Sequence, residues 1–159
     1  MKKLYFTLLL LPVLLNSACK KTVYCCVLPK VPNYISALKN NAKWNAPSQI
    51  YKTPTATDTV ILSGHIGEET LNITLKRTAS NSYNLIDATY FITIGQDALG
   101  SQYNLDKSKA NVFSSPINTD SKIIEGTFSL YFKRFYSMPT NAVADTLSFK
   151  SGIFKATWQ

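Results

Sequence analysis

The chain has 159 residues, 45% hydrophobic and 12% aromatic, which suffices for one core without metal or disulfide staples and leaves no room for a second catalytic domain. Seventeen Lys and Arg against nine Asp and Glu give +8; without Lys2 and Lys3, which belong to the first segment, the balance is 15 − 9 = +6. The cations are dispersed and no recognition helix, RNA-binding sheet or zinc-finger pattern accompanies them, which argues against a nucleic-acid partner and toward lipid headgroups or acidic glycans as counter-charges.

Met1, Lys2 and Lys3 form a positively charged start, and Leu4 to Leu15 is apolar apart from Thr7. That run is too short to span a bilayer and suits a secretory signal. Leu15, Asn16, Ser17, Ala18 and Cys19 follow, resembling the lipobox at which lipoprotein signal peptides are cut, with Asn16 where an aliphatic residue is usual. The resemblance implies a signal peptide over 1–18, a lipid-bearing Cys19 acylated with palmitate-type chains, and a tether over 19–33; ordinary cleavage near Ala18 is the competing outcome. Several acyl chains at about 0.8 kcal/mol per buried CH₂ anchor a protein for good. Lys20 and Lys21 come next with no acidic run, so an outer-membrane lipoprotein facing the periplasm is expected. Cys25 and Cys26 are adjacent and cannot form a relaxed disulfide; they read as tether thiols, with a redox switch or an intermolecular bridge as the sharper alternative.

The domain is expected over 34–159. Residues 34–39 and 42–46 flank Asn40 and Asn41, which tolerate positive φ and suit a hairpin turn; a short helix over 34–39 competes. Pro47 to Asp58 reads as an exposed connection. Val60, Leu62, Gly64 and Ile66, then Leu71, Ile73 and Leu75, alternate with polar neighbours around a turn at Gly67 to Glu69, predicting an antiparallel hairpin with one buried face. Residues 83–85 and 89–94 read as strands, the second stopped by Gly95. Gln96 to Asn118 reads as loops holding small edge strands.

The strongest strand is Ile124 to Phe132, with Ile124, Phe128, Leu130 and Phe132 on one face and Gly126 leaving a gap for a ring such as Phe128 or Trp44. Leu147 and Phe149 alternate in one phase and Phe154, Ala156 and Trp158 in the other, which places a bulge at Ser151 and Gly152. Eight or nine short strands and no helical stripe predict an all-β antiparallel sandwich or flattened barrel.

Residues 37–46 with Trp44 and Ala46, 71–75, 124–128 with Gly126, Thr127 and Phe128, and 151–154 with Gly152 and Phe154 together resemble an uncharacterised family of small Bacteroidota lipoproteins. Its members carry a hairpin ending in Trp-x-Ala, a Gly-Thr-Phe strand and a closing Gly-x-Phe strand. The chain departs from the pattern at Asn41, where glycine is common. The resemblance implies a shared fold, since its motif residues are turn and core positions.

His65 is the only histidine and falls on the solvent face of its strand. Ser63, His65 and Asp87 lack a nucleophile elbow, Glu68, Glu69 and Glu125 do not converge as glycosidase carboxylates, and no Asp-x-Asp cluster or Gly-x-Gly run occurs. No catalytic residue, cofactor or metal is expected. Tyr131, Lys133, Arg134 and Tyr136 mix rings with cations and are the candidate contact surface for glycan, lipid headgroup or protein, although Tyr131 and Lys133 also fit an ordinary wet strand face and Arg134 to Tyr136 the start of a loop. The expected function is a monomeric, non-catalytic binding or structural module of the envelope. A lipocalin-like carrier of an apolar ligand or glycan is the alternative, and an envelope-polymer enzyme ranks last.

Overall fold

The computed structural model describes residues 33–53, 56–78, 82–118, 123–139 and 143–157, all within one unit spanning 32–159. Residues 1–18, expected to form a signal peptide, and Cys19, Cys25, Cys26 and Trp158 lie outside them. Ten strands and no helix make up the described fold: β1 (Tyr34–Lys39), β2 (Ala42–Thr53), β3 (Ala56–Ile66), β4 (Glu69–Arg77), β5 (Tyr83–Ile94), β6 (Ala98–Leu105), β7 (Val112–Ser114), β8 (Ile117–Asn118), β9 (Ile123–Ser137) and β10 (Thr146–Thr157). Each of β1 to β5 pairs antiparallel with the next; β6 joins β9, β9 joins β10, and β10 returns to β1, so eight strands close a ring while β7 and β8 lie on β9. The all-β expectation is met in its flattened-barrel form.

The ring is sheared. Stepping through paired residues from Tyr103 to Tyr90, Leu71, Gly64 and Ser48, then across the Ser48 N–H to the Asn33 carbonyl and along β10, leads back to β9 at Ile124. Tyr103 itself pairs with Arg134, ten residues along the same strand. Closure with that stagger requires strands tilted by roughly 35–45° to the barrel axis.

The interior follows from period two: residues pointing inward on one strand meet those of the facing wall. Ile35, Leu62, Leu71, Ile73, Leu75 and Leu130 are fully buried. Phe149 touches Trp44, Tyr90 and Phe132 at ring separations of 5.4, 5.3 and 5.7 Å, and Tyr90 reaches Tyr103 at 6.0 Å. A second cluster stacks Phe113 on Phe154 at 5.4 Å with Phe128 at 6.4 Å. Each such side chain contributes about 1.5–3 kcal/mol of burial.

The hairpin turn at Asn40 and Asn41 forms with φ of 48° and 68°, so the departure from glycine at Asn41 leaves a two-residue turn, and β1 is a strand rather than a helix. The bulge in β10 falls between Phe149 and Gly152, with Ser151 at φ 50°. Residues 83–85 and 89–94 are one strand, β5, kinked by the extra residue Ile86.

Four expectations are corrected. Pro47 to Thr53 is the second half of β2 and β3 starts at Ala56; the exposed ring of Pro47 is tolerated because no ladder bond is made at that position. Within 96–118, β6 is a full wall strand whose inward positions include Ser101, so its hydrophobic alternation is faint. Arg134 to Tyr136 continues β9, with Phe135 as an extra residue where the β6 register shifts. The gap at Gly126 is filled by the Phe154 ring and the Ser114 carbonyl; Phe128 instead covers Gly152, and Trp44 covers Gly64.

A Cβ at Gly152 would lie 2.5 Å from three carbons of the Phe128 ring, and one at Gly126 would meet the Ser114 carbonyl, which is backbone and cannot swing aside. Gly152→Ala and Gly126→Ala should each cost about 1–3 kcal/mol in urea unfolding. Ser101→Ala should be neutral or stabilising by up to about 1 kcal/mol, because the buried Ser101 hydroxyl has no hydrogen-bond partner among the described residues.

Candidate functional site

Where β6 ends at Leu105, it leaves the edge of β9, and residues 106–111 take over the bonding. Asp106 N–H donates to the Tyr131 carbonyl at 2.8 Å, and Tyr131 N–H donates to Asn111 Oδ1 at 2.9 Å. Asn111 Nδ2 in turn donates to the carbonyls of Asp106 and Lys109 at 2.9 and 3.1 Å. Asp106 Oδ1 receives the Ser108 N–H and hydroxyl at 3.0 and 2.6 Å, a local turn typical of aspartate. The loop is thus fixed onto the strand at Tyr131.

On the other side of Tyr131, Ser148 is its partner on β10 and Thr146 is the partner of Lys133. Phe132 and Phe149 point inward, so these four residues share the outer face. Asn40 closes the far wall: its N–H donates to the Ser148 carbonyl and its Oδ1 accepts the Ser148 N–H, both at 2.9 Å. Between these walls lies a cleft of about 530 Å³ lined by Asn40, Asp106, Lys109, Tyr131, Thr146 and Ser148, with Ala110, Phe132 and Leu147 completing it.

Its surroundings are basic. Ion pairs join Lys39 to Glu69, Lys76 to Asp58, Arg134 to Asp145 and Lys155 to Glu125. Among the described residues, Lys107, Lys109, Lys133 and Lys150, all exposed, make no such pair. The Asp106 carboxyl is held below the usual range by its hydrogen bonds from Ser108, helped by Lys109 and Lys133. The arrangement brings together an aromatic face, several hydroxyl and amide groups, nearby lysines and the Asp106 carboxylate, groups that can contact C–H faces, hydroxyls and charges.

Of the four predicted contact residues, Tyr131 and Lys133 belong to this face. Arg134 has the inward phase: its Nη1 donates to the Val143 carbonyl at 2.9 Å and its Nη2 pairs with Asp145, beside Tyr103, whose hydroxyl donates to the Ala144 carbonyl at 2.9 Å. Tyr136 lies beyond the bulge next to Phe135, which is 71% exposed. Cys19 falls outside the described residues. His65 is exposed, its Nδ1 2.8 Å from Thr70 Oγ1 across the hairpin, while Asp87 accepts the Ala88 N–H. Among the described residues no group of three His, Cys, Asp or Glu could hold a metal.

A second polar cluster escaped the sequence reading. At the barrel end marked by the turns at Asn40 and Gly67, Glu69 pairs with Lys39 and accepts the Trp44 Nε1–H at 2.5 Å. Lys39 Nζ also donates to the Tyr90 hydroxyl at 3.0 Å and lies 5.4 Å from that ring. Lys39 and Glu69 both continue the inward phase of their strands, after Ile35 and Ala37 and before Leu71 and Ile73. That phase was the available signal. The cluster closes the aromatic interior with a satisfied charge pair, and burial plus the Glu69 carboxylate raises the Tyr90 hydroxyl well above the usual tyrosine range.

The family described as Domain of unknown function (DUF6252) matches residues 32–157. The chain belongs to this family. Its match begins one residue before the described fold and ends with β10. No curated protein and no solved structure matches the chain.

A phenol held protonated in the fold but free to ionise when unfolded favours the folded state only until the unfolded chain starts to lose its proton. Burial raises Tyr83 and Tyr103 as well as Tyr90. Their contribution is intact below the unfolded value of about 10 and is lost as pH rises above it. Urea unfolding should therefore show stability declining above about pH 10, with a shallower decline in Tyr90→Phe.

Proposed function

We propose that this protein is a lipid-anchored, non-catalytic binding module of the cell envelope, held at Cys19 on the periplasmic face of the outer membrane, that engages an acidic glycan in the Tyr131 cleft. The observation that carries this reading is the cleft itself: an outward tyrosine ring between hydroxyl groups and Lys109, with Lys133 on the same face and one carboxylate, Asp106, in its wall. A sugar lays its C–H face on such a ring and offers hydroxyls to Asn40, Thr146 and Ser148. Its carboxylate, phosphate or sulfate groups answer Lys109 and Lys133. The carrier alternative is weakened by the interior, where Trp44, Tyr90, Tyr103, Phe132 and Phe149 occupy the space an apolar ligand would need.

Binding of oligogalacturonate and of neutral cello-oligosaccharide to the mature chain, followed by calorimetry, tests the cleft. The acidic oligomer should bind and weaken as salt is raised, Tyr131→Ala should reduce affinity about tenfold, and Lys109→Ala with Lys133→Ala should flatten the salt dependence. Equal binding of both oligomers, or acidic binding untouched by these variants, would sink the assignment. The anchor is tested separately: labelled palmitate should enter the wild-type chain and not Cys19→Ser, and the latter should leave the membrane fraction.

A further inference from the structure

The ring is incompletely zipped at two places among the described residues, and the two are treated differently. The first lies between the early part of β5 and the early part of β9, because β6 pairs with β5 only from Thr89 onward and with β9 only from Phe132 onward. The chain covers that opening itself. β7 pairs with Ser129, Phe128 and Thr127, β8 pairs with Ile124 and Ile123, and Phe113 stacks on Phe154. Three extended residues with one central ring seal this seam.

The second opening lies between the start of β2 and the β3–β4 turn. Across the two-residue turn, Lys39 and Ala42 form the closing hydrogen-bonded pair, so Ala37 with Trp44 and Ile35 with Ala46 share that type. Lys43 and Asn45 therefore aim their N–H and C=O groups away from β1; the side-chain bond between Ser36 and Asn45, 2.5 Å, fits a non-hydrogen-bonded pair. β3 does not meet them, since its pairing with β2 starts only at Ser48 and Gly64. Pro47, in the same phase, has no N–H to carry the ladder further.

The edge borders a recess of about 420 Å³ lined by Lys43, Trp44, Asn45, Ile66, Glu68, Glu69 and Ile92. Ile66 has the inward phase of Val60, Leu62 and Gly64 yet is 46% exposed, and the pairing of β2 with β3 does not extend to it.

We infer that this edge and recess form a docking site for an extended peptide segment of a partner protein, bonded to the backbone of Lys43 and Asn45 and placing one central apolar side chain against Ile66, Ile92 and Trp44. Alternating backbone donors and acceptors along an open edge are matched by another strand, and β7 with Phe113 shows what seals such a seam in this fold.

The test selects a phage-displayed random heptapeptide library on the mature chain in detergent and maps enriched peptides by amide hydrogen exchange. Enriched peptides should carry a central apolar residue and protect the amides of Lys43 and Asn45. Asn45→Pro, which removes an N–H that β1 does not use, should weaken them about tenfold, and so should Ile66→Asp, which leaves the backbone intact at a half-exposed position and stands in if the proline variant misfolds. Tyr131→Ala should leave peptide binding unchanged. No enrichment, protection confined to other amides, or protection of the two amides by a second copy of the chain without peptide would overturn the inference.

Discussion

The length and placement of β9 constrain everything else in this barrel. One edge of its fifteen residues is bonded to β10, and the other is divided among β6, the 106–111 loop, β7 and β8. A ring with this stagger cannot give β9 one full-length neighbour on that second edge, because β6 reaches it only near its far end. The remaining backbone groups need partners. The chain supplies them through Asp106, Asn111 and two very short strands, and doing so builds the wall of the outer cleft.

Inside, the same geometry explains why rings and glycines occur together. A closed wall of eight strands leaves an interior of fixed width, and Phe128, Phe154 and Trp44 fit because Gly152, Gly126 and Gly64 yield space on the adjoining strands. The bulge at Ser151 then keeps both halves of β10 facing the core, so that Phe149 and Phe154 are both buried despite their opposite phases.

The sequence reveals an element wherever one face alone decides its pattern. The alternation at 60–66 and 71–75, the run from Ile124 to Phe132 and the phase change at Ser151 all reflect side chains choosing between core and water. Patterns fail where the interior is served by small or polar groups. β6 turns Ser101 inward beside large neighbours, β2 passes through Pro47, and Phe135 interrupts the period of β9. For the candidate site, the outward phase of Tyr131 and Lys133 is legible. Their meeting with Asn40, Asp106, Lys109, Thr146 and Ser148 is not, because it arises from ring closure between segments far apart in the chain. That β9 runs on past Phe132, and so brings the Arg134 guanidinium to Val143 and Asp145, is hidden for the related reason that Phe135 interrupts the period.

The position of β1 carries a mechanical consequence. It lies between β2 and β10, bonded to both along its length, and the chain enters it at Tyr34. Tension applied there along the strand stretches both ladders simultaneously instead of peeling them bond by bond. The first strand therefore works as a clasp, able to transmit a tug arriving through residue 33 straight into the neighbouring β10 and the wall beside the Tyr131 cleft.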